Sequence, residues 1–437
     1  MDMNAFFASP DRADAGLSTL ARGVVGSEIL KIAAEVRAMK AKGAAVLNLT
    51  VGDFDPASFP IPEELLGWTR DALQEGQTNY PPSDGVLPLR EAIVRYYEQE
   101  LGILYPVDSI LVTGGARPML YGAYTTLVDR GDVVVYPVPS WNNNHYAYLS
   151  GARAIEIPVG ADSNFFPTAE QLAPHLGEAR LLSLNSPLNP CGTVMDPEEV
   201  RKITLLVVEE NRRREASGAR PLYFVWDQVY WTLTFGSARH VTPVGLVPES
   251  APYVVLLDAI SKAFCATGLR VGWGVMPPAM RRRMADILGH VGAWAPKAEQ
   301  LATAKLLDAP DVRGAFQSKV KEGVQARLDA LASGFAAMRT AGLPVETVAP
   351  QGAIYLSARF DLFGRTWNGE TITRNDQIRR LLLDEAGFAI VPFQAFGLRE
   401  DTGWFRLSVG AVTLQEIADG LPRVRAAIER VLTPVKA

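Results

Sequence analysis

Lys262 stands in the run Ser261-Lys262-Ala263-Phe264-Cys265-Ala266-Thr267-Gly268-Leu269-Arg270, after an apolar stretch and ahead of Val271-Gly272-Trp273-Gly274. Burial disfavours an ammonium, so a lysine in a desolvated pocket has a lowered pKa and a free amine that can attack a carbonyl. Arg270 carries a planar fork of donors suited to holding two phosphate oxygens at once. A Schiff-base lysine with a phosphate-binding arginine is the pairing that pyridoxal phosphate (PLP) needs. A surface lysine with its stem laid on apolar neighbours would give the same local pattern. The rest of the chain has to supply the other parts of such a site.

Several other segments have the right chemistry. Thr113-Gly114-Gly115-Ala116-Arg117 opens a helix after a strand, where backbone amides can approach a phosphate; a tight strand-to-helix turn reads equally well. Trp141, in Pro139-Ser140-Trp141, can stack on a pyridine ring or fill a core. Asn185-Ser186-Pro187-Leu188-Asn189-Pro190-Cys191-Gly192 places a side-chain amide at a fixed spot where it can reach a phenolic oxygen; its competitor is a plain connecting turn. Asp227 follows the apolar run Leu222–Trp226, and a carboxylate at a buried strand end needs a partner. A pyridinium N–H is such a partner, and a protonated ring is an electron sink for a carbanion. Tyr230, three residues on, can donate to the same phenolic oxygen as Asn189; an Asp helix cap with an exposed Tyr is the simpler reading. Arg406 lies inside the apolar strand pattern Trp404–Val409 and must find an anion there, either a substrate carboxylate or an internal acid.

Elements must carry these residues to one place. Strand-like apolar runs at Ser109–Thr113, Asp132–Tyr136, Ala154–Pro158, Arg180–Asn185, Leu222–Trp226 and Tyr253–Leu257 alternate with helical patterns. That alternation predicts a mostly parallel sheet covered on both faces, with ligand at the carboxyl ends of the strands. Each candidate segment up to Lys262 follows a strand end. The expected fold is α/β: a large domain with a mostly parallel mixed sheet sandwiched by helices, plus a smaller α+β domain from both termini. The expected boundaries are 1–60 (N-terminal arm, loose to about residue 26, and part of the small domain), 61–309 (large domain) and 310–437 (small domain). A helix is expected from Ser27 to about Lys42, a strand over Val46–Val51, and a helix from Pro88 to Leu101. Arg281–Asp308 reads as helical, Val312–Thr340 as a charged helix, and Glu209–Arg220 as a helix end with a solvated loop. Strands are expected at Ala353–Ala358, Phe388–Val391 and Trp404–Val409, with a closing helix from Thr413.

Composition excludes several classes. A net charge of -5 gives no reason to expect nucleic acid. Two cysteines, Cys191 and Cys265, make no disulfide framework, which fits a reducing, cytoplasmic setting. No apolar run reaches the length of a membrane helix, and the four histidines show no metal spacing, so no metal is expected.

The motifs taken in order resemble the aspartate aminotransferase family, fold type I PLP enzymes of class I, from roughly Ala45 to the C-terminus. Asn185-x-Pro187-x-Asn189-Pro190-x-Gly192 resembles the family's Asn-Pro-x-Asn-Pro-Thr-Gly turn, and Asp227-x-x-Tyr230 its Asp-Glu-x-Tyr. Ser261-Lys262 with Arg270 resembles the cofactor lysine and phosphate arginine, and Arg406 the α-carboxylate arginine. Gly52 resembles the glycine that lets that carboxylate approach. Tyr80 resembles the tyrosine that reaches the phosphate across a dimer interface. Pro350-x-Gly352-x-x-Tyr355 also has the family look. The resemblance implies a transaminase that moves an amino group between an L-amino acid and a 2-oxo acid by ping-pong kinetics. Lys262, Asp227 and Tyr230 would be catalytic. Gly115, Ala116, Arg117, Trp141, Asn189, Ser261, Arg270 and Tyr80 would join them around the cofactor, with Gly52, Asn189 and Arg406 on substrate. It also implies a homodimer with sites at the interface. A PLP-dependent lyase or cyclase on the same scaffold is the alternative. Departures stand at Ala259, where the family keeps a phosphate-binding serine, at Cys191 for threonine and at Gln228 for glutamate. In the late Pro392-Phe393-Gln394-Ala395-Phe396-Gly397 motif, Phe393 is expected to narrow the site mouth. The aromatics Phe54, Trp141, Tyr146 and Phe393 point to an aromatic or other apolar substrate side chain.

Overall fold

The computed structural model describes residues 14–433 together with Met3 and Phe7. The first part of the arm expected over residues 1 to about 26 therefore falls outside the described residues, apart from Met3 and Phe7, and the described stretch from residue 14 holds a short helix, Thr19–Gly23. Helix Glu28–Ala41 follows, with Ser27 at its N-cap and Gly43, at φ +86°, ending it. The next expected strand shrinks to two residues, β1 (Leu47–Asn48), because only these find a partner.

Seven strands form the large sheet. They are β2 (Ile110–Thr113), β3 (Val133–Val138), β4 (Arg153–Pro158), β5 (Ala179–Asn185), β6 (Tyr223–Asp227), β7 (Val254–Ala259) and β8 (Gly272–Val275). Their order is β2-β8-β7-β6-β5-β3-β4, with β8 antiparallel to both neighbours and the remaining pairs parallel. Alternate residues feed two separate cores. Leu182, Leu184, Val254 and Leu256 pack on one face, while Leu181, Val225, Val255 and Leu257 pack on the other. Helices on both sides explain why the inner strands are apolar throughout, and the edge strand β4 is correspondingly more exposed.

β8 went unread in the sequence because Gly272 and Gly274 disguise it. Added Cβ atoms there would come 2.5 Å from Gly115 C and 2.6 Å from Met119 Sδ, so helix Ala116–Leu127 packs against the strand only because both are glycine. The helical reading of Arg281–Asp308 is also corrected: Gly292 in the left-handed region and Pro296 divide it into Pro278–Val291 and Lys297–Leu307. Glu209–Arg220 is a helix end and a loop, as expected, but the helix takes most of it: Pro197–Ser217 leaves only Gly218–Arg220 as exposed loop, and Arg214 is buried, donating to the Leu176 and Ala179 carbonyls.

The second sheet contains β9 (Val345–Thr347) and β10 (Tyr355–Phe360). After a short hairpin, β11 (Thr366–Trp367) and β12 (Glu370–Thr371), come β13 (Phe388–Ala389), β14 (Val391–Pro392) and β15 (Trp404–Ser408). The order β14-β15-β10-β9 is antiparallel, and β13 pairs in parallel with β1, so chain from both ends builds this unit. The expected strand 388–391 thus serves two sheets. Helices Pro310–Thr340 and Leu414–Leu432 cover it, the latter begun by a reciprocal Thr413–Glu416 cap. No described helix is long and apolar enough to cross a membrane.

Candidate active site

The carboxyl ends of β2, β3, β5, β6 and β7 open on a cavity of about 380 Å³, which β15 and helix Glu28–Ala41 also line. Lys262 sits on the one-turn helix Ile260–Ala263 that leaves β7. Its amine donates to the Gly52 carbonyl at 2.6 Å and stands 5.8 Å from the centre of the Tyr230 ring. Lys262 is half-buried and lines the cavity. Desolvation pushes its pKa down to about 8; Asp53 opposes the shift, while Arg406 and Arg117 add to it.

Asp227 ends β6. Its carboxylate accepts one protein hydrogen bond, from the Val229 N–H at 3.2 Å, and burial raises its pKa to about 6. No cation pairs with it among the described residues. A carboxylate held this way fits a cationic N–H donor from outside the protein. Tyr230 shares a 2.6 Å hydrogen bond with the Tyr355 hydroxyl, and burial raises both phenols. Asn189 is held in its turn by its own amide, which donates to Asn185 Oδ1 at 2.8 Å.

Arg406 is 1% exposed and has no carboxylate partner among the described residues. Its Nη2 donates to the Thr50 carbonyl at 2.6 Å and its Nη1 to Asn189 Oδ1 at 3.2 Å, while its Nε is buried without a partner. The rings of Tyr355 and Phe396 each lie 4.8 Å from Cζ. The internal salt bridge that competed for this residue is absent among the described residues. A buried guanidinium with neutral acceptors only suits an anion. Gly52 leaves room beside it, since a Cβ there would stand 2.7 Å from the Tyr355 hydroxyl and 3.7 Å from Arg406 Nη1.

At the other end of the cavity, Arg270 adopts φ +56° and donates to the Thr267 and Gly114 carbonyls at 2.7 and 2.8 Å. Gly115, at φ +94°, begins helix Ala116–Leu127, and a Cβ on it would come 2.3 Å from Arg270 Nη2. The guanidinium therefore lies directly against a helix N-terminus that presents free N–H groups. Ser261 and Ala259 both line the cavity, and so does Trp141, whose ring centre lies 5.0 Å from Arg117 Cζ. Tyr80 stands apart, 82% exposed and edge-on to Trp294, and does not line the cavity of its own chain.

Of the aromatics expected to shape a substrate pocket, only Trp141 does so. Phe54 packs on Phe59, Tyr146 on Tyr124, and Phe393 is wholly buried among Phe165, Phe396 and Trp404, so it does not narrow a mouth. Cavity residues the sequence reading missed include Asp53, Asn185 and Thr267, and Ile29, Ala33 and Arg37 from helix Glu28–Ala41. The four-residue spacing of the last three was visible in the sequence, but nothing there said what that helix face covers.

Fold and site define a class in which a lysine amine, a buried carboxylate and a buried arginine converge on one cavity at the carboxyl edge of an α/β sheet. The chain matches the family described as aminotransferase class I and II over residues 44–424, and it belongs to that family. It is 30% identical to the aspartate aminotransferase of Rhizobium meliloti (strain 1021) over 408 residues, 92% of this chain and 94% of that one. It is 26% identical to a probable aspartate/prephenate aminotransferase of Aquifex aeolicus, covering 95% and 99% of the two chains. Among solved structures, the Rhizobium meliloti aspartate aminotransferase superposes with TM-score 0.85 at 28% identity over 95% of this chain and 99% of that one. The Thermus thermophilus enzyme with maleate gives 0.84 at 25% identity over 94% and 99%. The protein is an aminotransferase of fold type I that exchanges an amino group between an L-amino acid and a 2-oxo acid in two half-reactions; elimination or cyclisation is not favoured.

Proposed function

We propose that this aminotransferase works with PLP, carried on Lys262, and takes a dicarboxylic amino acid as a donor. The observation that carries the reading is the convergence on one cavity of a desolvated lysine, an uncompensated aspartate and an uncompensated arginine. The residues fit the cofactor. Asp227 would face its ring nitrogen, Asn189 and Tyr230 its phenolic oxygen, and Trp141 its face. Arg270, Ser261 and the amides of Gly115, Ala116 and Arg117 would take its phosphate, and Ser261 supplies a hydroxyl where Ala259 has none. When bound, PLP supplies an electron sink for the bond broken at the substrate α-carbon.

The chain's own residues do the rest. Arg406 docks the α-carboxylate through the space that Gly52 leaves. Lys262 would take the α-proton on Nζ and later give it back, as a general base poised near neutral pH should. The Asp227 charge would keep the cofactor's ring nitrogen protonated.

The side-chain reading rests on Arg117, which lines the cavity over Trp141 with no acidic partner among the described residues. A second cation suits a distal carboxylate, in line with what several relatives' names state that they act on. Arg117→Gln is expected to lower kcat/KM for aspartate by about 10²-fold, as for loss of a charge-assisted contact, with alanine little changed. An equal loss for both donors would instead assign the side chain to the cofactor.

Tyr80 supports a homodimer in which it reaches the partner's cofactor phosphate, since it lies exposed and away from its own cavity. Leu66 and Leu73, two turns apart and exposed on helix Glu63–Gln74, suit the same contact. Light scattering on the purified protein tests this. A division near residue 309 is supported by helix Pro310–Thr340, whose Val324, Leu331 and Phe335 share a core with β10 and β15. Two free, buried cysteines suit a cytoplasmic enzyme.

A further inference from the structure

Asp53 follows Gly52 and lines the same cavity. One of its carboxylate oxygens accepts from Thr267 Oγ1 at 2.6 Å and from the Phe54 N–H at 2.8 Å. No lysine or arginine forms an ion pair with it among the described residues. The Gly52 carbonyl, one peptide away, accepts the Lys262 amine at 2.6 Å. Whatever orients Asp53 therefore orients the acceptor of that amine. Thr267 is tied in turn to Arg270, whose Nη1 donates to its carbonyl at 2.7 Å.

The groups that act electrostatically on the amine come from several elements: Asp53, Arg406, Cys265 and Arg117, with the Tyr230 and Phe54 rings within 6 Å. Asp53 is the anion of this set. Cys265 is buried, which pushes its thiol well up and keeps it neutral. The two guanidinium groups and desolvation all favour the uncharged amine, and one carboxylate opposes them.

We propose that Asp53 is a positioning residue for Lys262, holding the Gly52 carbonyl on the amine and placing a carboxylate in the same cavity. The proposal rests on reading Lys262 as the reactive amine. The two ideas separate in one experiment. The full-length, cofactor-free chain is labelled briefly with acetic anhydride across a pH series, and acetylation of the Lys262 peptide is read by mass spectrometry. The wild-type midpoint is expected near pH 8; a midpoint near the ordinary 10.5 would overturn the reading of Lys262 itself.

Asp53→Asn is expected to lower the midpoint by about one pH unit, and so to raise labelling at pH 7 by about fivefold. Asp53→Glu should restore much of the shift. Asp55→Asn is the control, because Asp55 caps the same segment through Ser58 and Ala57 but does not line the cavity. It should leave the midpoint where it is. An unmoved midpoint in Asp53→Asn, or an equal shift in Asp55→Asn, overturns the proposal. Should Asp53→Asn fail to fold, Thr267→Val removes the 2.6 Å bond without removing charge. It is expected to move the midpoint the same way by less, and no movement there overturns the proposal as well.

Discussion

Lys262→Ala is expected to lower kcat by at least about 10⁴-fold, because one side chain supplies both the covalent anchor and the proton carrier. The visible absorbance of cofactor bound through a lysine should be lost together with activity, while far-ultraviolet circular dichroism stays native. A variant that keeps both absorbance and turnover would remove Lys262 from the chemistry. The pH behaviour follows from burial. With its pKa lowered to about 8, the amine becomes a nucleophile as pH rises through that value, so cofactor capture by the cofactor-free chain should speed up across it. Stability is linked to the same proton. Below pH 8 the amine is charged in both states and its desolvation counts fully against the fold. Between about 8 and 10.5 the unfolded chain binds more protons, so stability of the cofactor-free chain should rise with pH. That rise should be smaller in Lys262→Ala.

Arg406→Met should separate function from stability. In the wild-type chain the guanidinium is 1% exposed, held by two neutral acceptors, and left with an unpartnered Nε. Removing one member of a buried charged contact with substrate costs about 2–5 kcal/mol, or roughly 30- to 5,000-fold in kcat/KM. Removing a buried charge that has no counter-ion costs the fold little and can stabilise it. The expected result is a large loss of kcat/KM for every α-amino acid, with Tm of the substrate-free protein unchanged or higher. A sharp fall in Tm with kcat/KM preserved would make Arg406 a structural residue.

The same reasoning shows which parts of the site were readable beforehand. Asp227, Asn189 and Lys262 could be placed at strand ends because inner parallel strands announce themselves as apolar runs, and a polar group at the end of such a run must be used. β8 was hidden because its glycines serve a neighbouring helix rather than the strand. Phe393 and Tyr146 misled because an aromatic near a motif looks the same whether it lines a cavity or fills a core. Only packing distinguishes the two, and here both fill a core.

Composition, strand alternation and the order of motifs were enough to determine an α/β enzyme with a lysine, an aspartate and an arginine awaiting small ionic partners. Those signals are local: they depend on burial periods and residue types within a few positions. Tertiary structure alone decided that Arg406 has no acid beside it among the described residues, that Asp53 shares the cavity of Lys262 from more than two hundred residues away, and that Arg117 lines the same cavity. Charge compensation is a property of what surrounds a group in space, and the groups that do or do not neutralise these side chains come from distant segments.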